Sequence, residues 1–438
     1  MKSDKAVKRD SIGIGLMGLG VIGGQVASVL RDRAKVLSEQ AGVPIELRRI
    51  KVLPADLERP VAQKLPRALF TTDDGEFFGD AGIDIIIELI GGEEPALSYI
   101  KKALSGGKHV VTANKEVIAK HGPELLALAR QHGVGIQYEA SVGGGIPLIA
   151  PFKHDLVANE IKGIYAIING TTNYILTRMA RDGMDFAEAL KLAQQMGYAE
   201  ADPVNDIEGY DARYKLAILA SLAFQVPVPP EAIYCEGISR MGSQDFRYAR
   251  ELGLAIKLLA IAKQSDGAIE VRVHPVLISE DSFMAKVDGV YNAVEVEGDL
   301  IGKVIFFGEG AGARPTSSAV VSDVVSTARK ISFGSGSHPP AVPASGKKLK
   351  PMSEIRTRYY LRIRAADHPG VLAKISRVFG DLDISISAAI QQEPEAQTAE
   401  VVLTTHEASE KAMQAALQKL SRLDVVAEIS NFLRMENI

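Results

Sequence analysis

Apolar positions in the first third of the chain form short runs separated by helical spacings. "IGIGLM" (12–17), "IELRRIKVL" (45–53), "IDIIIELI" (83–90), "KHVVTA" (108–113) and "VGIQYEA" (134–140) read as strands. Between them, 25–38, 95–105 and 116–131 repeat apolar residues at helical intervals. Strands rich in Ile and Val that alternate with helices predict βαβ units and a parallel sheet covered on both faces. From Gly143 the rhythm changes. Helical spacing over 185–196, 208–225 and 245–263 mixes with strand-like "IKGIYAIIN", "AIEVRVHPVLI" and "YNAVEVEGD", which predicts an α+β layer. A glycine-rich turn, "GEGAGARPTSSA" (308–319), leads into an amphipathic helix ending near Lys330. Residues 332–355 are dense in Gly, Ser, Pro and Lys and read as a linker. The last 80 or so residues run β-α-β-β-α-β, the order of a small ferredoxin-like module.

The expected class is therefore α/β, with a Rossmann-type dinucleotide-binding domain over 1–142 completed by about 306–331. An α+β domain follows over 143–305, which the resemblance described below makes the catalytic and dimerisation domain, then the linker and a C-terminal domain over 356–438. At 438 residues the chain has room for two or three cores. Its net charge of −4, with 50 basic and 54 acidic residues intermixed, argues against nucleic acid and anionic membranes and for a small polar partner. One cysteine, Cys235, excludes an internal disulfide framework and fits a reducing, cytoplasmic setting. The longest apolar run carries two acids and is too short to span a bilayer, and the charged N-terminus lacks the core of a signal peptide.

Glycines in "SIGIGLMGLGVIGGQVASVL" spell G-x-G-x-x-G twice. A phosphate turn needs an apolar strand before it and a helix after it. Gly13, Gly15 and Gly18 follow charged residues and precede more glycine, so that register fails. Gly18, Gly20 and Gly23 follow "IGIGLM" and precede Val26, Val29 and Leu30 at helical spacing, so this register binds the dinucleotide. NAD and NADP both stay open: no carboxylate tips the second strand, while Asp56, Lys51 and Arg59 lie near it.

The chemistry points to "LAQQMGYAEADPVNDIEGYDARYKLAILASLAF" (192–224). Asp211 and Lys215 are four apart on one helical face, and the rest of that helix is apolar nearly all round. A buried carboxylate and ammonium need pairing or a purpose. Lys215 is the candidate general acid for the alkoxide that hydride transfer creates. Asp211 would position it, and Glu200 would take a cationic end of the substrate. Lys115, where "HVVTA" becomes helix, is a further candidate. The eight histidines show no metal-ligand spacing, and Cys235 has no histidine partner for thioester chemistry. "YEASVGGGIP" joins one carboxylate to several carbonyls, a plain glycine turn or a monovalent cation site.

These segments, together with "INGTTNYIL", "GEGAGARPTSSAVVSD" and "DHPGVLAKISRVF", resemble the monofunctional homoserine dehydrogenases that carry a C-terminal ACT domain. The resemblance covers nearly the whole chain. It implies interconversion of L-homoserine and L-aspartate 4-semialdehyde with NAD or NADP, on the way to threonine and methionine. Proton transfer then falls to Lys215, and substrate binding to Glu200, Asp211, Thr171 and Tyr198. Lys115 would touch cofactor and substrate, with the proton work undivided between the two lysines. Further cofactor contacts fall on Leu19, Gly20, Val21, Ile22, Ile90, Gly197 and Gly312. A sodium-like ion would meet Glu139 and the carbonyls of Val142, Gly144 and Ile146. L-Threonine would act through the ACT domain, at the turn Asp367–Gly370, and the enzyme would be a homodimer or homotetramer. Removing 345–438 would spare catalysis and abolish that control. A different amino-acid oxidoreductase on the same plan, or a non-catalytic dinucleotide and amino-acid sensor, shares most of these features.

Overall fold

The computed structural model describes residues 10–333, 346–391 and 398–438, in two compact units. The first takes the described residues of Met1–Glu160, Ala217–Pro230 and Phe306–Gly346. It holds six parallel strands: β1 (Ile12–Met17), β2 (Ile45–Lys51), β3 (Phe70–Thr71), β4 (Ile85–Glu88), β5 (His109–Thr112) and β6 (Ile136–Gln137). Their order, β3-β2-β1-β4-β5-β6, is the doubly wound order with its switch point between β1 and β4. β1 is buried at all six positions, as a strand covered on both faces requires. Gly13 is obligatory there, since a Cβ would lie 1.7 Å from the carbonyl oxygen of Gly82. The helix Val21–Asp32 begins directly after the glycine turn and ends at Arg33, and a second helix, Ala34–Ala41, follows, so the single helix expected over 25–38 is two. The helix Ala313–Phe333 packs Val320, Val324 and Ala328 against Val26, Ala27 and Leu30.

The second unit takes Ile161–Leu216, Glu231–Ile305 and the described residues of Lys347–Ile438. Its strands are β7 (Ile161–Ile167), β8 (Tyr234–Cys235), β9 (Leu254–Ser265), β10 (Ala268–Ser279), β11 (Tyr291–Gly298), β12 (Gly302–Glu309, which ends in the first unit), β13 (Lys348–Leu349), β14 (Arg356–Ala366), β15 (Ile386–Gln391), β16 (Thr398–Thr405), β17 (Ala408–Ser409) and β18 (Val426–Met435). The helix expected over 245–263 is real only as Ser243–Glu251. Gly253 turns the chain with φ +69°, and 254–265 become β9, paired with β10 from Leu254 to Ser265. "LAIKLLAIA" is too uniformly apolar for periodicity to separate strand from helix, and a twelve-residue antiparallel partner decides it. β12 was not anticipated either.

The terminal module has the expected βαββαβ order, and its strands stand as β18-β14-β16-β15. They continue the neighbouring sheet, because β18 pairs in parallel with β10, Val276 opposite Arg434. Three arginines fasten this seam. Arg272 reaches Glu270 and Glu436, Arg434 reaches Glu410 and Glu236, and Arg362 reaches Asp245 and Glu400. Of the expected linker, 334–345 lie outside the described residues, and β13 pairs with β10.

Candidate active site

At the switch point of the first unit the glycines divide the work. Gly18 adopts φ +93°, and a Cβ there would lie 2.7 Å from the carbonyl oxygen of Leu89. A Cβ on Gly23 would lie 2.1 Å from the carbonyl oxygen of Gly18. Gly20 is different: a Cβ would meet nothing within 4 Å. Two glycines close the turn and the third leaves open space beside the helix start, where first-turn amides lack intrahelical acceptors and attract phosphate. Val21 is 77% exposed and Ile90 39%, two large apolar side chains left in water at this turn and at the loop it abuts. Leu19 is buried and Ile22 half-buried. Gly312 has φ +116° at the start of Ala313–Phe333.

Glu88, which sequence reasoning passed over, shapes the facing loop. Its Oε1 accepts the amides of Ile90 (2.7 Å) and Gly91 (3.4 Å), and its Oε2 accepts the Thr112 hydroxyl at 2.6 Å. Burial pushes this carboxyl above its ordinary range, against those hydrogen bonds. The available signal was a carboxylate closing a wholly apolar strand. Asn114 donates to the Gly92 carbonyl and accepts the Val117 amide, capping the helix Lys115–Gln131. Lys115 thus occupies a helix N-terminus, an end where the dipole disfavours a cation.

In the second unit the proton-transfer candidates converge. Lys215 Nζ donates to Asp211 Oδ2 and to the Ile168 carbonyl, both at 2.7 Å. The two side chains are 12% and 6% exposed, as the apolar helix requires. Asn169 also escaped the sequence reading. Its Nδ2 donates to Asp206 Oδ1 (2.7 Å) and Asp211 Oδ2 (2.9 Å), while its Oδ1 accepts the Thr172 amide and caps the helix Gly170–Asp182. The signal was "NGTT", an N-cap residue before a helix. Burial raises the Asp206 carboxyl, and the Asp211 charge adds to it. Thr171 Oγ1 donates to the Tyr198 carbonyl at 2.7 Å, and the Tyr174 and Tyr198 rings lie 4.9 Å apart. Glu200 and Gly197 are exposed, and among the described residues the Glu200 carboxylate has no hydrogen bond or ion pair.

The first unit carries a Rossmann switch point and the second a buried Asn–Asp–Lys cluster, two features that suit dinucleotide-dependent redox chemistry, and the known relatives agree. The family model for homoserine dehydrogenase matches residues 147–325, that for its NAD binding domain 18–139, and that for the ACT domain 359–425. The homoserine dehydrogenase of Neisseria gonorrhoeae is 43% identical over 98% of this chain and 99% of its own. That of Synechocystis is 44% identical over 97% and 99%. The chain belongs to the homoserine dehydrogenase family. A crystal structure of the Thiobacillus denitrificans homoserine dehydrogenase matches it with a TM-score of 0.92, 44% identity and 98% coverage of both chains.

As a homoserine dehydrogenase the chain is an oxidoreductase of amino-acid biosynthesis with an NAD-binding and an ACT domain. Its remaining site segment is the turn after β6. Both Glu139 oxygens are engaged, by the amides of Leu148 (2.6 Å), Ile149 (2.8 Å) and Ala150 (2.7 Å). Asp323 accepts the Glu139 amide at 2.9 Å, and burial lifts its carboxyl to about 7. Val142, Gly144 and Ile146 are buried, and among the described residues no backbone hydrogen bond outside the helices and strands ends on their carbonyls. Gly144 must be glycine, since a Cβ would lie 2.6 Å from the Gly310 carbonyl. Cys235 donates to the Glu208 carbonyl, and burial pushes its thiol up to about 11, which removes it as a nucleophile. No group of three or more His, Cys, Asp or Glu among the described residues could hold a metal, and no described helix is long and apolar enough to cross a membrane.

Proposed function

We propose that Lys215 moves the proton when this homoserine dehydrogenase interconverts L-homoserine and L-aspartate 4-semialdehyde, and that Asp211 and Asn169 hold it in place. The observation that carries this is the Lys215 geometry. An ammonium has three donors; two are spent on Asp211 and Ile168, which aims the third. In reduction that donor protonates the aldehyde oxygen, and in oxidation the amine takes the hydroxyl proton. The dinucleotide supplies or accepts the hydride at the reacting carbon. Gly18, Gly20 and Gly23, with the amides of Val21 and Ile22, hold its phosphates, and Leu19, Ile90, Gly197 and Gly312 complete its contacts. Glu200 takes the substrate ammonium with a carboxylate that no other described residue claims, Thr171 and Tyr198 line the substrate, and Lys115 touches cofactor and substrate.

NADP and NAD both serve, with NADP favoured. Lys51 is held by Asp74 at 2.5 Å and Asp56 by Arg59 at 2.7 Å, so no free carboxylate at the tip of β2 awaits a ribose hydroxyl. A hyperthermophilic archaeal homoserine dehydrogenase, 27% identical with a TM-score of 0.62, was solved with NADPH. A sodium-like ion would sit at the buried carbonyls of Val142, Gly144 and Ile146, while the Glu139 carboxylate, also expected to meet it, already accepts three backbone amides. L-Threonine acts through the ACT domain, the chain works as a homodimer or homotetramer, and its compartment is the cytoplasm. The test is homoserine-dependent reduction of NADP and of NAD, with and without threonine. Absence of homoserine oxidation with either overturns the reading.

A further inference from the structure

The seam between the catalytic sheet and the terminal module forms an open cavity of about 550 Å³. Its floor is β8 with the residues that follow to Arg240, and its roof is the helix Glu410–Leu420 and β18. Most of its polar groups are already engaged: Arg434 with Glu236, Gln414 with Glu410, and Asn431 with Asp245. Two are not. Among the described residues, the Glu208 carboxylate and the Arg240 guanidinium make no hydrogen bond or ion pair. One cavity therefore offers one unclaimed anion and one unclaimed cation, with the hydroxyls of Ser239 and Ser430 also in its lining.

The floor is also mechanically tied to the proton-transfer cluster. Cys235 Sγ donates to the Glu208 carbonyl at 3.2 Å. A Cβ on Gly237 would lie 2.3 Å from the Ile207 carbonyl, and one on Gly209 would lie 3.1 Å from Cys235 Sγ. The turn Ile207–Gly209 is thus packed without slack against Cys235–Gly237. Asp206 precedes this turn and Asp211 follows it, and both share the Asn169 amide. A ligand that pulls on Glu208 pulls on the turn that sets Asp211 against Lys215.

We infer that this seam cavity is a binding site for a free α-amino acid, with its ammonium on Glu208 and its carboxylate on Arg240, and that filling it slows the reaction. The inference rests on the amino-acid control proposed above and places the ligand at the seam instead of the Asp367–Gly370 turn. An α-amino acid carries both charges on adjacent groups, and charge-assisted hydrogen bonds to each fix its orientation. Serine hydroxyls suit a short polar side chain.

The test is calorimetric titration of the full-length chain with L-threonine and a panel of other free amino acids, beside inhibition of homoserine oxidation. Each variant's inhibition is scored against its own uninhibited rate. Arg240→Gln and Glu208→Gln should each weaken binding and inhibition by about tenfold or more, Arg240→Lys should recover much of both, and Asp367→Asn should change neither. Wild-type binding and inhibition in Arg240→Gln and Glu208→Gln, with loss in Asp367→Asn, would overturn the seam site and leave amino-acid control standing. Binding of no amino acid to the wild-type chain would overturn both.

Discussion

Lys215 and Asp211 stand one helical turn apart, and the ammonium donates to the carboxylate at 2.7 Å with both side chains largely out of water. A surface i,i+4 pair contributes a few tenths of a kcal/mol, but here each charge depends on the other, and removing one partner of a buried pair costs about 3–5 kcal/mol. Asp211→Asn keeps the shape and removes the charge. It is expected to lower kcat by roughly 10²-fold, within the range of a general acid that loses its orienting partner. Dinucleotide affinity, measured by fluorescence titration, should stay as in the wild type.

In the proposed mechanism Asn169 acts through the two aspartates, as a positioning residue. Asn169→Ala removes the donor shared by Asp206 and Asp211 and uncaps Gly170–Asp182, which costs about 1 kcal/mol. The expected result is a kcat loss smaller than that of Asp211→Asn, with the alkaline or acidic limb of the pH–rate profile displaced. A lost helix cap alone would leave that profile in place. Asn169→Asp, which restores the cap but adds a third carboxylate, should not rescue it.

The glycine turn separates a folding role from a binding role. Gly23→Ala drives a Cβ to within 2.1 Å of the Gly18 carbonyl and should destabilise the first unit by at least about 1–3 kcal/mol. Gly20→Val places its side chain where nothing is within 4 Å, so the melting temperature should hold while KM for the dinucleotide rises at least about tenfold. A melting temperature equally lowered in both variants would contradict this division.

His274 gives the second unit an acid limit. It is fully buried, its Nδ1 bonds the Pro275 carbonyl at 3.0 Å, and its Nε2 has no partner among the described residues. Burial first, then Arg434 and Arg272, holds its pKa well below 6.5. The folded state keeps it neutral while the unfolded chain takes a proton. Its contribution is therefore full above pH 6.5 and is lost below it, by about 1.4 kcal/mol per pH unit. Chemical denaturation between pH 5 and 7.5 should show a shallower acid slope in His274→Gln than in the wild type.

Truncation at 345 carries a structural consequence beyond loss of threonine control. Glu436 is a partner of the buried Arg272, and β18 covers one edge of β10. The expected outcome is loss of stability in the second unit along with the loss of control, read by circular dichroism melting beside the activity assay. Unchanged stability in the truncated chain would mean that the seam is dispensable.

Local signals were legible in the sequence where strand, turn and helix agree. The register Gly18–Gly20–Gly23, the buried Asp211–Lys215 stripe and the βαββαβ tail needed no tertiary information. Residues 254–263 were misread because an unbroken apolar run has no period, and only pairing with β10 makes it a strand. Asn169 and Glu88 were passed over because their importance lies in distant partners. Asn169 meets Asp211 across 42 positions, and Glu88 meets Thr112 across 24. That β18 would extend the catalytic sheet was invisible for the same reason: nothing local marks which edge a terminal strand will join.

In the proposed mechanism Lys215 moves the proton while other residues hold the dinucleotide. The most direct measurement is steady-state homoserine oxidation by Lys215→Ala beside its equilibrium affinity for NADPH. The expected result is a kcat lower by about 10²–10⁴-fold with unchanged NADPH affinity. A kcat within about tenfold of the wild type would contradict it and move the proton transfer to Lys115.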